Sequence, residues 1–222
     1  MAKTPKKTAI PKRRSNKFHL DLLNGAQQLA YAAYQQHDVL FLTGPAGTGK
    51  THLAMAFAIN DVLTKQKSKI ILTRPVVESG EKLGFLPGDL QEKVDPYMRP
   101  LHDVMDKLVK DEAQREIIEN AAETSPIAYM RGRTFENAVC IFDEGQNATK
   151  KQLKLFMSRF DEDSKLILTG DPLQSDLDMP SVEFTEVVRR LESLKGIATI
   201  KFNNSNIVRH PLVGAIMERL EE

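Results

Sequence analysis

The hydrophobic pattern divides the chain into short apolar runs and longer segments with helical character. Apolar runs of about five residues, bounded by turn residues, are typical of strands buried on both faces of a parallel sheet. Such runs occupy 39–43, 69–73, 138–142, 165–169 and 196–202. Helical segments lie between them, and this alternation predicts an α/β fold. We therefore expect a central, mostly parallel sheet of about five strands, flanked by helices.

The predicted helices cover 24–34, 52–63, 89–122 and 211–220. Asn24 is a residue type that caps helix N-termini. Pro96 and Pro100 lie inside the third segment, and we expect interruptions there because proline lacks a backbone donor. Its charges predict a solvated face without chemistry. The preceding segment, 74–89, is too long for a simple connector, and loops at the ends of parallel strands often carry function.

Length and composition fit one large domain without a membrane span. The 222 residues are enough to bury a good core, and 41% of them are hydrophobic. No segment approaches the ~20 apolar residues that a spanning helix needs, so we expect no membrane partner. Cys140 is the only cysteine and cannot form a disulfide within the chain. This favours a reducing compartment, and we expect a cytoplasmic protein.

Charge is distributed unevenly along the chain. The net charge is +1, but residues 1–17 contain seven basic and no acidic side chains, so the other 205 residues, with 24 basic and 30 acidic side chains, carry −6. Prolines and scarce apolar residues predict a disordered basic tail over 1–19, followed by a folded domain over 20–222. The tail could hold nucleic-acid phosphates, or it could solubilise the protein or anchor an acidic partner. The sequence leaves these alternatives open.

The segment 44–51 (GPAGTGKT) fits the phosphate-binding pattern G-x-x-x-x-G-K-[ST] at every fixed position. It lies between a buried run and an apolar helix, which is the context that the pattern requires. Glycines let backbone N–H groups surround an anion, and the helix N-terminus adds further donors. We therefore predict a nucleoside triphosphate site, with Lys50 on the β- and γ-phosphates. The predicted nucleotide contacts are Gly44, Pro45, Ala46, Gly47, Thr48, Gly49, Lys50 and Thr51.

Two adjacent carboxylates follow the apolar run 138–142. Asp143 lies at the predicted strand tip, and Glu144 comes directly after it. Asp143 could bind Mg²⁺ together with the Thr51 hydroxyl, and Glu144 could orient and deprotonate the attacking water. We therefore predict Thr51 and Asp143 as metal ligands, and Glu144 and Lys50 as catalytic residues.

Two glutamine positions are further candidates. Gln174 follows the predicted strand 165–169 and could contact the γ-phosphate, although a plain Gly-Asp-Pro turn is the alternative. Gln27 or Gln28 lies one helix upstream of the phosphate loop, where an amide could read the adenine edge. An ordinary surface glutamine is the alternative there, and the spacing does not decide between them.

Six segments together resemble the PhoH-like family of P-loop ATPases, which is related to superfamily 1 helicases. They are GPAGTGKT (44–51), LTRPVVESGEKLGFLPGDLQEKVDPYMRPLHD (72–103), SPIAYMRGRT (125–134), FDEGQN (142–147), LTGDPLQSDL (168–177) and VRHPLV (208–213). The resemblance implies a single RecA-like domain that hydrolyses ATP. It assigns the adenine contact to Gln27 or Gln28, the Walker A role to Lys50 and Thr51, the Walker B role to Asp143 and Glu144, and the sensor role to Gln174.

One position departs from the family pattern. Gly145 stands where the family commonly has alanine, and we expect this glycine to loosen the turn that holds Gln146.

The predicted function is Mg²⁺-dependent ATP hydrolysis coupled to helicase-like binding or remodelling of RNA or DNA, and the expected partner is RNA or single-stranded nucleic acid. No N-K-x-D motif follows the phosphate loop, which disfavours a GTPase, and the tandem Asp143 and Glu144 disfavours a phosphotransferase. A nucleotide-dependent switch that acts on a protein partner is the alternative. Arg131 and Arg133 could bind nucleic acid with the basic tail, or they could pair with acids under the sheet.

A chain with a single lobe needs an arginine from another subunit at its γ-phosphate, and we therefore expect active sites that are shared between subunits. The charge that develops on the γ-phosphate is usually met by an arginine from a second lobe or a partner subunit. Arg209 is the candidate, because its segment resembles an arginine-bearing motif of superfamily 1 helicases. We therefore expect a homo-oligomer, such as a hexameric ring, in which Arg209 reaches a neighbour's nucleotide. The alternative is that Arg209 acts in cis or only caps the last helix.

Overall fold

Six α-helices and six strands lie in the residues that the computed structural model describes, which are 18–75, 90–172, 182–208 and 219. The strands are β1 (Val39–Thr43), β2 (Lys69–Thr73), β3 (Ala122–Thr124), β4 (Ala138–Phe142), β5 (Lys165–Gly170) and β6 (Ile197–Lys201). The helices are α1 (Gly25–Gln36), α2 (Lys50–Leu63), α3 (Leu90–Leu108), α4 (Glu112–Ala121), α5 (Lys150–Met157) and α6 (Val182–Leu191). The predicted tail up to residue 17 and, apart from Arg219, the predicted helix at 211–220 lie outside the described residues.

The strands form one parallel sheet in the order β3-β2-β4-β5-β1-β6. The five predicted strands are confirmed, and β3 is a sixth that we did not predict. It has three residues, one of them Glu123, and pairs with 70–72 of β2 at the edge of the sheet. A short edge strand needs no long apolar run. The predicted fold class is therefore correct, with one strand more than expected.

Side chains of β1, β2, β4, β5 and β6 alternate between two hydrophobic cores on opposite faces of the sheet. In β1, Leu40 and Leu42 pack with α1, α2 and α3, whereas Val39 and Phe41 pack with α5 and α6. Every residue of β1 and β4 is buried, which explains their continuous apolar runs. Since all strands are parallel, their carboxyl ends meet at one edge, where the connecting loops can form a site.

Helix α3 is continuous through Pro96 and Pro100, so the expected interruptions are wrong. Both prolines are exposed and lie four residues apart, which places the two missing backbone donors on the same, solvent-facing side. The opposite side buries Met98 and other apolar side chains in the core with α2. The break comes instead at 109–111, before α4.

Helix α1 begins as predicted, because the Asn24 side chain accepts a hydrogen bond from the Gln27 backbone N–H at 3.0 Å. The loop 44–51 joins β1 to α2, which confirms its strand-to-helix context. Within the described ranges, no helix has the length and apolar character that crossing a membrane requires.

Candidate nucleotide site

The loop 44–51 passes from the carboxyl end of β1 into α2 through three glycines with positive φ. The φ angles are 136° at Gly44, 83° at Gly47 and 85° at Gly49. A side chain at Gly44 would also collide with the chain after β6, because a Cβ there would lie 2.3 Å from the carbonyl oxygen of Phe202. Residues with a Cβ rarely adopt these angles. The loop therefore has a backbone that can curve around an anion at the N-terminus of α2.

The Lys50 side chain folds back over this loop. Its Nζ donates to the carbonyl oxygens of Gly44 at 2.6 Å and Pro45 at 2.8 Å. The buried Thr48 hydroxyl donates to the same Pro45 oxygen at 2.9 Å. The ammonium group thus lies against the loop itself, where a bound phosphate would meet a full positive charge.

Thr51, Asp143 and Thr169 form a cluster next to the loop. Thr51 Oγ1 donates to Asp143 Oδ1 at 2.6 Å, and Thr169 Oγ1 donates to the same oxygen at 2.5 Å. Asp143 is 2% exposed, and its N–H donates to the Thr73 carbonyl oxygen at 2.9 Å. Thr169 was not predicted; a hydroxyl near the end of a buried strand is the signal that could have identified it. The sheet order β2-β4-β5-β1 brings these residues together, because Thr51 lies at the start of α2, which follows β1.

The oxygens of this cluster suit a hard divalent cation. Mg²⁺ prefers oxygen ligands, usually one or two from the protein, with the rest from phosphates and water. The Thr51 hydroxyl and the Asp143 carboxylate supply such a pair, and they already lie 2.6 Å apart. No group of three or more His, Cys, Asp or Glu side chains that could hold a metal occurs in the described part of the chain. The donor set therefore fits Mg²⁺ bound together with phosphates, with Thr51 and Asp143 as the residues that would hold it.

Glu144 follows Asp143 with a φ of 55°, a left-handed conformation that is uncommon for residues with a Cβ. Gln146 Nε2 donates to its Oε2, and the Arg74 guanidinium lies 3.6 Å from its Oε1. Burial raises the pKa of Glu144, and the charge of Asp143 raises it further. The hydrogen bond from Gln146 and the positive charges of Arg74 and Lys50 lower this pKa. The carboxylate is therefore held by specific partners directly beside the Asp143 cluster.

The turn after Glu144 is tightly packed, and our expectation that Gly145 loosens it is wrong. A Cβ at Gly145 would lie 2.6 Å from Cε2 of the buried Phe184 ring. Gln146 Oε1 accepts a hydrogen bond from the Asp171 N–H at 2.9 Å, so its amide bridges the chain after β4 and the chain after β5. The absence of a Cβ at Gly145 admits a close aromatic neighbour.

Two glutamines are candidates for the contact with the adenine. Gln27 lies at the phosphate loop, and Gln28 is exposed. Gln27 is 3% exposed, and its Oε1 accepts from the Leu23 N–H at 2.7 Å. Its Nε2 lies 3.5 Å from the point that a Cβ on Gly49 would occupy. The donor end of the amide is therefore the end beside the loop.

A cavity of about 890 Å³ opens beside the loop, at the carboxyl ends of β1, β5 and β6. Its lining includes Gly44 and Pro45 of the loop, Asp171 after β5, and Lys201 and Phe202 at the end of β6. Helix α6 forms another wall through Val188 and its neighbours. Ligands of α/β sheets bind in the crevice beyond the carboxyl ends of the strands, and this cavity extends that crevice past the phosphate loop.

The two predicted nucleic-acid arginines differ in their surroundings. The Arg133 guanidinium makes a two-point ion pair with Glu123, with Nη2 donating to Oε2 at 2.7 Å. The hydrogen bond from Arg133 lowers the pKa of Glu123. Arg131 is exposed. The structural alternative therefore applies to Arg133, while Arg131 is accessible to a partner.

Two predicted catalytic residues, Gln174 and Arg209, lie outside the described residues. Val208, which precedes Arg209 in the sequence, donates its N–H to the Gly47 carbonyl oxygen at 2.9 Å. The chain that leads to Arg209 is thus tied to the phosphate loop of the same molecule.

Comparisons with known proteins identify the family to which the chain is similar. The model of the PhoH family, described as PhoH-like protein, matches residues 19–221. A PhoH-like protein of Synechocystis sp. is 48% identical over 191 residues, covering 85% of this chain and 58% of the relative. A PhoH-like protein of Bacillus subtilis is 47% identical over 193 residues, covering 86% and 60%. The chain thus spans about six-tenths of the length of these relatives.

A solved structure with a similar fold is the large terminase of a thermophilic bacteriophage in complex with ADP. The TM-score is 0.56 at 12% sequence identity, and the match covers 89% of this chain and 50% of the terminase chain. At this identity the likeness concerns the fold alone, an α/β fold with a parallel sheet.

Proposed function

The chain belongs to the PhoH-like family, and from the geometry of its phosphate loop we propose that it is a Mg²⁺-dependent hydrolase of nucleoside triphosphates, with ATP as the substrate. The observation that carries this proposal is the 2.6 Å hydrogen bond between Thr51 Oγ1 and Asp143 Oδ1. It joins the end of the phosphate loop to the tip of β4, and Glu144 follows at the next residue. A site that only stored a nucleotide would not need this second carboxylate beside the phosphates.

The residues of the loop would bind and orient the triphosphate. Backbone N–H groups around Gly47 and at the start of α2 would surround the phosphates, and Lys50 would exchange its two carbonyl partners for β- and γ-phosphate oxygens. Mg²⁺ held by Thr51 and Asp143 would place positive charge against the phosphate oxygens. Thr169 would keep the Asp143 carboxylate oriented through its 2.5 Å hydrogen bond.

Glu144 would orient the attacking water and accept its proton. Its two carboxylate oxygens are oriented by different groups, Arg74 on Oε1 and Gln146 on Oε2. Gln146 also accepts from the Asp171 N–H, so the position of Glu144 depends on both strand ends. Gln27, with its donor end beside Gly49, would contact the adenine side of the nucleotide.

The test compares two threonines at the two ends of helix α2, Thr51 in its first turn and Thr64 directly after its last residue. Wild-type protein should release phosphate from ATP in Mg²⁺, and excess chelator should abolish the release. Thr51→Ala should remove most of this activity, whereas Thr64→Ala, an exposed threonine at the other end of the helix, should retain it. Absence of phosphate release by the wild type, or equal activity of the two variants, would contradict the proposal.

We also propose that hydrolysis is coupled to RNA or another single-stranded nucleic acid. The supporting features are the acid-free basic segment at 1–17 and the exposed Arg131. Phosphate release should rise when single-stranded RNA or DNA is added at low salt. Failure to bind either polymer at low salt would favour the alternative, a nucleotide-dependent switch with a protein partner.

A homo-oligomer with shared sites is a further part of the proposal, with Arg209 as the residue that is shared. Mixing inactive Lys50→Ala with inactive Arg209→Ala would restore part of the activity if Arg209 acts on a neighbour's nucleotide. The Val208 bond to Gly47 of the same chain supports the alternative, action in cis. No recovery after verified subunit exchange, or a monomeric mass with ATP bound, would contradict the shared-site model.

A further inference from the structure

The aromatic ring of Phe184, in the first turn of α6, lies between two glycines at the carboxyl edge of the sheet. A Cβ on Gly145 would lie 2.6 Å from Phe184 Cε2, and a Cβ on Gly170 would lie 2.5 Å from Phe184 Cε1. Real Cβ atoms do not approach other atoms so closely, so both positions exclude any side chain while the ring is there. The ring is fully buried, and Phe41 packs against it with 6.3 Å between centroids and 66° between planes. Its orientation is therefore set from the side of β1 as well.

The two glycines belong to the turns that carry the polar groups of the site. Gly145 lies between Glu144 and Gln146, and Gly170 directly precedes Asp171. The Gln146 amide joins the two turns, because it donates to Glu144 and accepts from the Asp171 N–H. The Phe184 ring thus packs beneath the hydrogen bonds that hold the Glu144 carboxylate.

The first turn of α6 also contacts the chain further along from Glu144. The Glu183 carboxylate accepts a hydrogen bond from the backbone N–H of Lys150, at the start of α5. Adjacent residues of α6 therefore hold both ends of the segment 145–150: Phe184 contacts its first residue and Glu183 its last. Neither contact involves the phosphate loop, so the first turn of α6 can affect the position of Glu144 without altering the nucleotide cradle.

We propose that Phe184 is a positioning residue for Glu144, acting through Gly145 and Gln146, and that Gly145 and Phe184 form a matched pair. This inference rests on the proposed hydrolase function. A flat ring fits between two glycines, whereas a branched side chain at 184 leaves part of that space empty and lets the turn move. Since a misplacement of about 1 Å can cost up to roughly a hundredfold in rate, the effect falls on turnover and not on nucleotide binding.

The test is a double-mutant cycle of Gly145→Ala and Phe184→Leu, with Phe135→Leu as the control. Phe135 is a fully buried aromatic residue of the same hydrophobic core and packs on Phe156, away from the two turns. Phe184→Leu should lower kcat by about tenfold or more and leave the affinity for ATP unchanged. Phe135→Leu should lower the melting temperature about as much as Phe184→Leu does, and it should leave kcat near the wild-type value.

The pairing is tested by the double variant. Gly145→Ala in the presence of Phe184 should lose most of its turnover or its stability, because the new methyl group collides with the ring. Adding Phe184→Leu to Gly145→Ala should recover part of both, although the methyl group would still lie 3.0 Å from the Thr169 carbonyl oxygen. Such recovery is a coupling that two independent structural defects do not produce.

Each alternative outcome overturns a defined claim. Additive losses in the cycle, or a fall in kcat for Phe184→Leu no larger than that for Phe135→Leu, would leave Phe184 as an ordinary core residue while the hydrolase proposal stands. If the wild type hydrolyses no nucleoside triphosphate, the hydrolase proposal and this inference both fail.

Discussion

Each end of helix α2 has a buried carboxylate: Asp143 lies beside the N-terminal end, and Asp61 belongs to the last turns of the helix itself. The surroundings of the two carboxylates differ. At the N-terminal end, Asp143 is 2% exposed and accepts from the hydroxyls of Thr51 and Thr169. At the C-terminal end, Asp61 is 1% exposed and accepts from the Tyr34 hydroxyl at 2.6 Å. The other oxygen of Asp61 has no hydrogen-bond partner among the described residues.

The C-terminal end is closed by bulky groups. The Tyr34 ring stacks on Phe57 with 5.0 Å between centroids, and Lys165 Nζ lies 4.9 Å from the centre of the Tyr34 ring. Burial raises the pKa of Asp61, against the lowering effects of its Tyr34 hydrogen bond and the charge of Lys165. The contrast teaches that burial of a carboxylate alone does not indicate a ligand site. What distinguishes Asp143 is that its partners are two threonine hydroxyls, which could turn to a bound cation, and that it lies beside a glycine-rich loop.

The largest expected effect is at the N-terminal end. Glu144→Gln keeps the shape of the side chain but removes the base, so turnover should fall by a factor of roughly 10² to 10⁴ while ATP stays bound. Phosphate release and equilibrium nucleotide binding measure the two parts separately. Glu136→Gln, an exposed substitution just before β4, serves as the control and should leave both unchanged. Near-normal turnover of Glu144→Gln would remove that residue from the mechanism.

The next effect concerns stability at the C-terminal end. Tyr34→Phe removes the hydroxyl that donates to Asp61, and the free energy of unfolding should fall by about 1–3 kcal/mol because the carboxylate is then buried without this partner. Tyr31→Phe is the matched control, since Tyr31 packs on the same Phe57 ring with 5.4 Å between centroids. Urea unfolding measures both variants. Equal losses of unfolding free energy in the two variants would contradict the role of the Tyr34 hydroxyl. A loss of ATP hydrolysis by Tyr34→Phe, after correction for unfolded protein, would contradict the distinction between the two ends of α2.

A pH series sharpens the interpretation of Asp61. Burial raises its pKa in the folded protein above the unfolded value of about 3.9, so between these two pKa values the folded state binds more protons. Wild-type stability should therefore decline with rising pH, relative to Asp61→Asn, from about pH 4 up to the folded pKa. Above that pKa the difference should stay constant. If wild-type stability instead fell, relative to Asp61→Asn, as the pH was lowered through this range, the charged form of Asp61 would be the favoured one in the folded protein.

The smallest expected effect concerns nucleic-acid binding by Arg131, which lies away from both ends of helix α2. Arg131→Ala should lower the slope of log K against log salt for single-stranded nucleic acid by about 0.7, if its cation contacts one phosphate. Arg133→Ala is the matched comparison, because its guanidinium is already paired with Glu123, and it should change the slope less. Salt titrations of oligonucleotide binding measure both. An equal change in the two slopes would contradict the distinction between the two arginines.

Local patterns predicted the elements that bury apolar residues or need special backbone angles. The runs at β1, β2, β4, β5 and β6 and the glycines of the phosphate loop could be predicted for this reason. Strand β3 escaped prediction because three residues, Ala-Glu-Thr, carry no pattern. The continuity of α3 was not predicted either, because the sequence does not show that both prolines lie on one exposed side of the helix.

Contacts between distant segments could not be predicted, because local sequence patterns do not determine which strands lie next to each other in the sheet. Arg74 directly follows an obvious strand, but its ion pair with Glu144 depends on β2 lying next to β4. The preference for Gln27 over Gln28 depends on which side of α1 faces the loop. Phe184 lies 39 positions after Gly145 in the sequence, and only the packing of α6 shows why that glycine is needed.

The most direct test of the account is the stabilisation of the folded protein by Mg²⁺ and ATP. A ligand that binds only the folded state raises its stability by about 2.7 kcal/mol at a hundred times Kd, which a thermal unfolding curve detects. We expect the same upward shift for wild type and for Tyr34→Phe, whose starting stability is lower, and no shift for Lys50→Ala. A shift in Lys50→Ala equal to that of the wild type would contradict this expectation, because the nucleotide would then bind elsewhere than on the phosphate loop.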